Sequence, residues 1–182
     1  MNEKELIEKC KSGDKAAYKK LYETYSKHAM GICVRYTGDE SLSEDVLHDG
    51  FIRVFTSIHS FQYQGEGSLK AWLSRIFCNE SLYFLKKNKF WNQAVSIEDY
   101  DMPEEEPDIS MLKTIPKSVL MQSISLLPAG YRIVFNMYLF EKIPHKEIGK
   151  QLGITEEASR ARLSRAKKLI MKKLKDYILK NE

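Results

Sequence analysis

The stretch Ile143–Lys168, IPHKEIGKQLGITEEASRARLSRAKK, constrains the fold more than any other part of the chain. It predicts two short helices around one tight turn. Pro144 suits a first helical position, where a missing N–H is tolerated. Ile148 and Leu152 lie four apart and share a face. Gly153 supplies the turn at which the first helix stops and the chain reverses. Ile154 fills the angle between the helices, and Thr155 caps the second. Two helices joined by a short turn containing glycine form the helix-turn-helix pattern, whose second helix enters the major groove of DNA.

The second helix separates its faces. Ser159, Leu163, Ala166, Ile170, Leu174 and Tyr177 recur at three- and four-residue spacing and form a buried stripe. Opposite them lie Glu157, Ala161, Ser164 and Lys168, flanked by Arg160 and Arg165. Small residues at 161 and 164 let the backbone approach a groove floor, and the arginines can reach base acceptors or phosphates. A basic amphipathic helix is often only a solvated surface helix. The preceding glycine turn and the Ile148/Leu152 pair favour DNA binding.

Charge distribution agrees. The segment 116–182 carries fourteen Lys and Arg against six Asp and Glu. The segment 95–115 carries one against seven, and the segment 1–94 fourteen against twelve. Basic charge therefore collects beside the helix-turn-helix, as a DNA-binding module requires. The chain has 182 residues, 43% hydrophobic and 30% charged, as expected of a soluble globular protein of one ordinary domain or two small ones. No apolar run approaches the roughly 20 residues that span a bilayer, and no signal peptide is expected before Asn2–Lys11. Cys10, Cys33 and Cys78 match neither a disulfide framework nor a zinc spacing, so free thiols in a reducing cytoplasm are expected.

Along the chain, Glu3–Cys10 predicts a short helix ended by Gly13. Asp14 caps a second helix to about Thr37, with Tyr18, Leu21, Tyr22, Tyr25, Ala29, Ile32, Cys33 and Tyr36 on one stripe. Gly38-Asp39 ends it, and Ser41–Glu44 has capping-box spacing for the next start. The helix from about Leu42 to Ile58 carries a core face of Leu47, Phe51, Val54, Phe55 and Ile58. Its second face, Asp45, Asp49, Ile52, Arg53 and Thr56, is either an ordinary solvated surface or, given Ile52 among the charges, a partner surface. His48 beside Glu44, Asp45 and Asp49 lacks a second ligand cluster, so no metal is expected.

Phe61–Ser68 is a loop with two aromatics and two glycines, and it lacks the third glycine of a dinucleotide fingerprint. Ser68 then caps a long helix to about Lys89, with Leu69, Trp72, Leu73, Ile76, Phe77, Tyr83 and Phe84 on its apolar side. One flank, Trp72, Arg75, Asn79, Tyr83 and Lys86, mixes rings with cations. Such a flank suits a single nucleic-acid strand, rings stacking on bases while cations hold the backbone. Trp and Tyr at this spacing also serve as core. Segment 95–115, with seven acids, Pro103 and Pro107, predicts a flexible linker. Beyond it Lys117–Leu127 and Ala129–Glu141 predict two helices, the second turning Tyr131, Val134, Phe135, Tyr138 and Leu139 to the core. The expected fold is all-α: two small helical domains, 1–94 and 116–182, joined by the flexible acidic linker 95–115.

Three segments carry a family resemblance: Ser43–Ile58 (SEDVLHDGFIRVFTSI), Ser68–Lys87 (SLKAWLSRIFCNESLYFLKK) and Leu127–Lys168 (LPAGYRIVFNMYLFEKIPHKEIGKQLGITEEASRARLSRAKK). In order and spacing they resemble bacterial sigma factors, above all the small two-domain extracytoplasmic-function class. The resemblance implies a subunit that binds RNA polymerase core through the clamp coiled coil of the largest subunit and the flap of the second-largest. It implies core contacts at Asp45, Asp49, Ile52 and Arg53. It implies −10 DNA contacts at Phe61, Tyr63, Trp72, Arg75, Asn79, Lys86 and Lys87, with Phe61–Ser68 holding a flipped base. It implies −35 contacts at Thr155, Arg160, Ala161, Arg162, Ser164, Arg165 and Lys168. A membrane-bound anti-sigma factor is a common partner in the family, and no cofactor is implied.

Two places depart from the family's usual pattern. Tyr83-Phe84-Leu85-Lys86 stands where an Asp followed by Leu-Arg is common, and Glu157-Ala158-Ser159 replaces Gly-Thr-Val. Lys86 attracts phosphate as a point charge, without the bidentate fork of an arginine. No Walker loop, HExxH or Gly-x-Ser-x-Gly turn is present, so an enzyme is not expected. Two other readings of the residues remain: a free-standing helix-turn-helix regulator with an N-terminal sensor or dimerisation bundle, and a nucleic-acid enzyme with metal at His48/Asp49.

Overall fold

The structure is a computed structural model that describes residues 2–88 and 115–181. The chain divides into two compact units, Met1–Lys87 and Asn88–Glu182. Among the described residues all regular structure is helical: α1 (Glu3–Lys11), α2 (Lys15–Thr37), α3 (Glu40–Ser57), α4 (Ser68–Lys87), α5 (Lys117–Ser125), α6 (Ala129–Leu139), α7 (His145–Leu152) and α8 (Glu156–Asn181). The expected linker lies outside the described residues except for Ile115, as do Lys89–Ala94.

In the first unit, local signals set the helix ends. Asn2 accepts a hydrogen bond from the Glu5 N–H at 2.8 Å and caps α1. Asp14 accepts from the N–H groups of Ala16 and Ala17 and caps α2. Gly38, at φ 71°, ends α2 and returns its N–H to the Val34 carbonyl. The start of α3 differs from expectation. Asp39 caps it through the Leu42 N–H at 2.8 Å, so Ser41 lies inside the helix. Asp39 takes the cap because an aspartate directly after the left-handed Gly38 reaches the free N–H groups first.

The core forms where α2, α3 and α4 meet, around the buried Leu21, Cys33, Tyr36, Val46, Val54, Leu73 and Phe77. Phe51 meets Phe77 edge-on at 5.1 Å between ring centroids. Gly50 makes this possible, because a Cβ there would sit 2.3 Å from the Phe77 ring. The core face of α3 is thus rotated from expectation: Val46 and Gly50 are buried, whereas Leu47 and Phe55 are half-buried. Two tyrosines expected in the core lie outside it. Tyr22 covers the Phe51 ring at 4.6 Å but stays largely exposed, and Tyr83 is 62% exposed on α4.

In the second unit, α5, α6 and α7 pack on the long α8. Ile124, Ile133, Val134, Met137, Ile148, Leu163, Ala166 and Ile170 are buried between them. α6 is buried on nearly every side from Gly130 to Met137, not on the single face that its periodicity predicts. Its Arg132 is buried as well. The guanidinium donates to the carbonyls of Ser125 and Leu127 at 2.8 and 2.7 Å and so closes the end of α5, where a cation also meets the helix dipole. Burial pulls its pKa down to about 10, still well above neutral. Pro144 precedes α7 as its N-cap instead of occupying the first helical position.

Candidate nucleic-acid interface

The turn between α7 and α8 is built around two glycines. Gly153 sits at φ 66°, the left-handed conformation that ends α7. Gly149 brings the helices together, since a Cβ there would stand 2.7 Å from the Ile154 carbonyl oxygen. The Ile154 N–H in turn donates to the Gly149 carbonyl at 3.0 Å. Thr155 accepts from the Ala158 N–H at 3.1 Å and caps α8, as its position predicts.

This turn fixes which side of α8 faces outward. Ser159, Leu163, Ala166, Ile170 and Leu174 are buried, and Tyr177 is half-buried. Thr155, Arg160, Ala161, Ser164 and Arg165 are exposed together, with Lys168 half-buried beside them. Arg162 is half-buried at the edge of the stripe, and burial lowers its pKa while the nearby Tyr131 partly opposes that shift. Arg160 pairs with Glu156 one turn earlier, so its guanidinium already has a partner in the free protein. Beside the helix a cleft of about 440 Å³ is lined by Tyr138, His145, Arg160, Ala161, Ser164 and Lys167.

Composition alone does not single out His145. It is buried at the start of α7, its ring stacked on Tyr138 at 4.3 Å between centroids. Its Nδ1 lies 2.9 Å from the Ser159 hydroxyl, so it ties α7 to the buried stripe of α8. Desolvation lowers its pKa, Arg160 and Lys167 lower it further, and Glu156 partly opposes them.

In the first unit, the loop and the exposed flank of α4 form a second surface. Phe61 is buried and its ring lies 4.9 Å from that of the half-buried Trp72. Beside them a cleft of about 320 Å³ is lined by Phe61, Gln62, Gln64, Ala71, Trp72 and Arg75. Tyr63 lines a different cleft, with Asn2, Lys4, Lys20 and Tyr25. Arg75, Asn79, Tyr83, Lys86 and Lys87 are exposed along α4. Rings and cations thus occur together, though Phe61 and Trp72 already pack on each other, tilted by 41°.

The outer face of α3 is a third surface. Asp45, Asp49, Ile52 and Arg53 are all exposed, Ile52 at 50%. Ile52 lines a groove of about 440 Å³ with Tyr22, Leu47, Phe51 and Phe55. The Arg53 guanidinium reaches across to Glu80 of α4 at 3.1 Å. His48 is exposed, and among the described residues no three His, Cys, Asp or Glu side chains are placed to hold a metal ion.

A helix-turn-helix with small residues and arginines on its open face, carried with a second helical unit bearing rings and cations, defines a modular DNA-binding protein. Residues 21–90 match the Sigma-70 region 2 family, and residues 117–170 match the Sigma-70, region 4 family. The chain belongs to the sigma-70 family, as a member of its extracytoplasmic-function class. It is 26% identical to the RNA polymerase sigma-H factor of Pseudomonas aeruginosa, across 97% of this chain and 95% of that one. It is 25% identical to the ECF RNA polymerase sigma factor SigW of Bacillus subtilis, across 95% and 97%. Among solved structures it resembles the sigma factor RpoE of Bartonella quintana, solved with the anti-sigma factor NepR. That likeness has a TM-score of 0.48 and 16% identity, over 87% of this chain and 96% of that one. Sigma-70 proteins are initiation factors, not a family of enzymes.

Proposed function

We propose that the chain is a promoter-specificity subunit: it binds RNA polymerase core, directs it to a particular set of promoters and captures one strand as the −10 element opens. The observation that carries this reading is the outer face of α8. There Ala161 and Ser164 are exposed in a row between Arg160 and Arg165, on a helix seated by the Gly149–Gly153 turn. A flat row of small side chains admits a groove floor, and flanking arginines reach guanine acceptors or phosphates.

In this reading Arg160, Ala161, Ser164 and Arg165 face the −35 bases. Thr155, Arg162 and Lys168 hold the adjoining backbone. Phe61, Tyr63, Trp72, Arg75, Asn79, Lys86 and Lys87 line the path of the −10 strand. Asp45, Asp49, Ile52 and Arg53 meet the polymerase clamp coiled coil, with Ile52 as the apolar anchor, and the C-terminal domain meets the flap. The domains are 1–94 and 116–182 with the acidic tether between, so each weak DNA contact raises the effective concentration of the other. Strand capture requires no covalent chemistry and no cofactor, because a cleft that accepts unstacked bases favours open over paired DNA. The protein works in the cytoplasm, where an anti-sigma factor covers the same surfaces until a signal removes it. Among the described residues no helix is long and apolar enough to cross a membrane.

Gel filtration with purified core polymerase, followed by run-off transcription on a genomic library, tests the proposal. The expected result is co-elution and a discrete set of new starts. A protein that elutes apart from core and starts no transcript is a free-standing regulator or something else.

A further inference from the structure

The family match begins at residue 21, so α1 lies outside it. Yet α1 carries the side chain that fixes the loop before α4. Gly67, not the expected Ser68, occupies the N-cap of α4, and Ser68 is its first helical residue: the Gly67 carbonyl accepts the first intrahelical bond, from the Ala71 N–H at 3.1 Å. A glycine has no side chain with which to satisfy the free N–H groups of the first turn. Glu3, 64 residues earlier in the chain, supplies the missing acceptor. Its carboxylate accepts from the Gly67 N–H at 3.1 Å, the Leu69 N–H at 3.1 Å and the Ser68 hydroxyl at 3.4 Å.

The contact reaches further than a cap. The Ser68 hydroxyl donates its one proton towards Glu3, which leaves its lone pairs to accept the Gln64 N–H at 3.2 Å. The Ser68 N–H donates to the Gly65 carbonyl at 3.1 Å. A chain of hydrogen bonds therefore runs from Glu3 through Ser68 to Gln64. Gln64 lines the cleft of about 320 Å³ with Gln62, Trp72 and Arg75. The far end of the loop is held separately, by Phe61 against Trp72. The two glycines between, at φ 110° and 85°, leave the loop free to change shape unless something holds it.

We infer that Glu3 is a positioning residue for base capture: through the Gly67 and Leu69 N–H groups and the Ser68 hydroxyl, its carboxylate holds the loop in the shape that closes this cleft around one unstacked base, and so determines which base is accepted. The inference rests on the reading of the cleft as part of the −10 strand path. A carboxylate is suited to the task, since it accepts all three donors at once. A glutamine offers one acceptor oxygen and an NH₂ that faces the other donors. Glu3→Gln therefore keeps the size of the side chain and breaks the geometry, whereas Glu3→Asp keeps the charge and withdraws it by one methylene.

The test uses the full chain as wild type, Glu3→Gln and Glu3→Asp, each selecting from a random pool of single-stranded DNA oligonucleotides. Wild type is expected to enrich a base at a defined position. Glu3→Gln is expected to flatten that preference and to bind the best oligonucleotide about tenfold more weakly. Its affinity for the unselected pool should stay unchanged, while loss of the cap lowers the cooperative unfolding midpoint by about 4–8 °C, with faster amide exchange at Gln64, Gly67 and Leu69. Glu3→Asp should fall between the two. The inference is overturned if Glu3→Gln retains the wild-type preference while exchange at Gly67 and Leu69 accelerates, for then the cap is released and the cleft is indifferent. It is equally overturned if Glu3→Gln weakens every oligonucleotide alike, the mark of a purely structural role. A wild type that enriches no base overturns the −10 reading itself, and this inference with it. That outcome is recognised without any variant.

Discussion

The helix-turn-helix depends on the absence of one methyl group, and Gly149→Ala tests this directly. Replacing a glycine inside a helix by alanine normally stabilises by about 0.5–1 kcal/mol, because the unfolded chain loses freedom it would otherwise regain. Gly31, in α2, is such a position, as a Cβ there meets nothing within 4 Å. Gly149 is different. Its Cβ would stand 2.7 Å from the Ile154 carbonyl oxygen and 3.5 Å from the Thr155 carbonyl carbon. These neighbours are backbone, and Ile154 is pinned by its own N–H to the Gly149 carbonyl. Relief requires the whole turn to shift, and overpacking of this kind costs about 1–3 kcal/mol. A contact this short against backbone belongs in the upper half of that range, about 2–3 kcal/mol, so set against the helix gain the net effect is a loss of about 1–2.5 kcal/mol. For a domain of this size each kcal/mol lowers the midpoint by about 4–8 °C. Scanning calorimetry on the full chain should therefore show opposite shifts: upward for Gly31→Ala, downward for Gly149→Ala. Binding to the upstream duplex should fall with the second change and not with the first. A Gly149→Ala protein as stable as wild type, or more so, refutes the claim that close helix approach sets the recognition surface.

Three further outcomes follow from named contacts. Arg160→Ala should weaken binding to the preferred upstream duplex by about 1–3 kcal/mol and leave scrambled duplexes unaffected. Glu156→Gln, which releases Arg160 from its ion pair, should tighten both modestly; filter binding on matched and scrambled duplexes checks the pair of changes. His145 has a folded-state pKa below its ordinary value of 6.5, so the unfolded chain takes up the proton first. Its contribution to stability is complete above 6.5 and is lost as pH falls through the lower folded value. Thermal melts from pH 8 to 5 should show a steeper acid loss in wild type than in His145→Gln. Finally, burial pushes the thiols of Cys10 and Cys33 up to about 11 and about 12, so both should resist a thiol reagent at pH 8 until denaturant is added, as followed by mass spectrometry.

Much of the fold is legible in the sequence because its signals are local. Asp14, Gly38, Gly153 and Thr155 act on neighbours within four residues, and each does in the structure what its position predicts. The exposed rows on α3 and α8 are legible for the same reason, since a 3.6-residue period places them without knowledge of what they face. The features that local patterns hide depend on distant partners. Gly50 joins the core because the Phe77 ring, from another helix, comes to rest on it, and Val46, one turn earlier on the same face, is buried with it. Nothing local marks Arg132 as buried, since cations rarely are, and the open end of α5 explains its position. Asp39 displaced Ser41 as a cap although both patterns were present, because the turn at Gly38 fixes which residue arrives first. Glu156 as a partner of Arg160 is visible in the four-residue spacing, whereas no local pattern reveals Glu3 as the cap of α4.

The same magnitudes explain why such a protein works through a larger machine. Base-aromatic stacking is worth about 1–3 kcal/mol per base, and the proposed −10 path has Tyr63 and Trp72, with Tyr83 exposed beside them on α4, so three rings would supply at most on the order of 9 kcal/mol. Opening about six base-pair steps costs about 8 kcal/mol in lost stacking alone, at about 1.4 kcal/mol per step. Trp72 already spends one face on Phe61, and Tyr63 lies half-buried in another cleft, so the realised gain falls below that ceiling. The free protein therefore sits at or under break-even against duplex DNA, while a strand that is already single costs it nothing to unstack. Discrimination and opening are in this way separated. In the proposed reading the chain supplies a preference among open strands and a grip on the upstream duplex, and the polymerase, by holding both modules on one promoter, makes opening favourable only where both are satisfied.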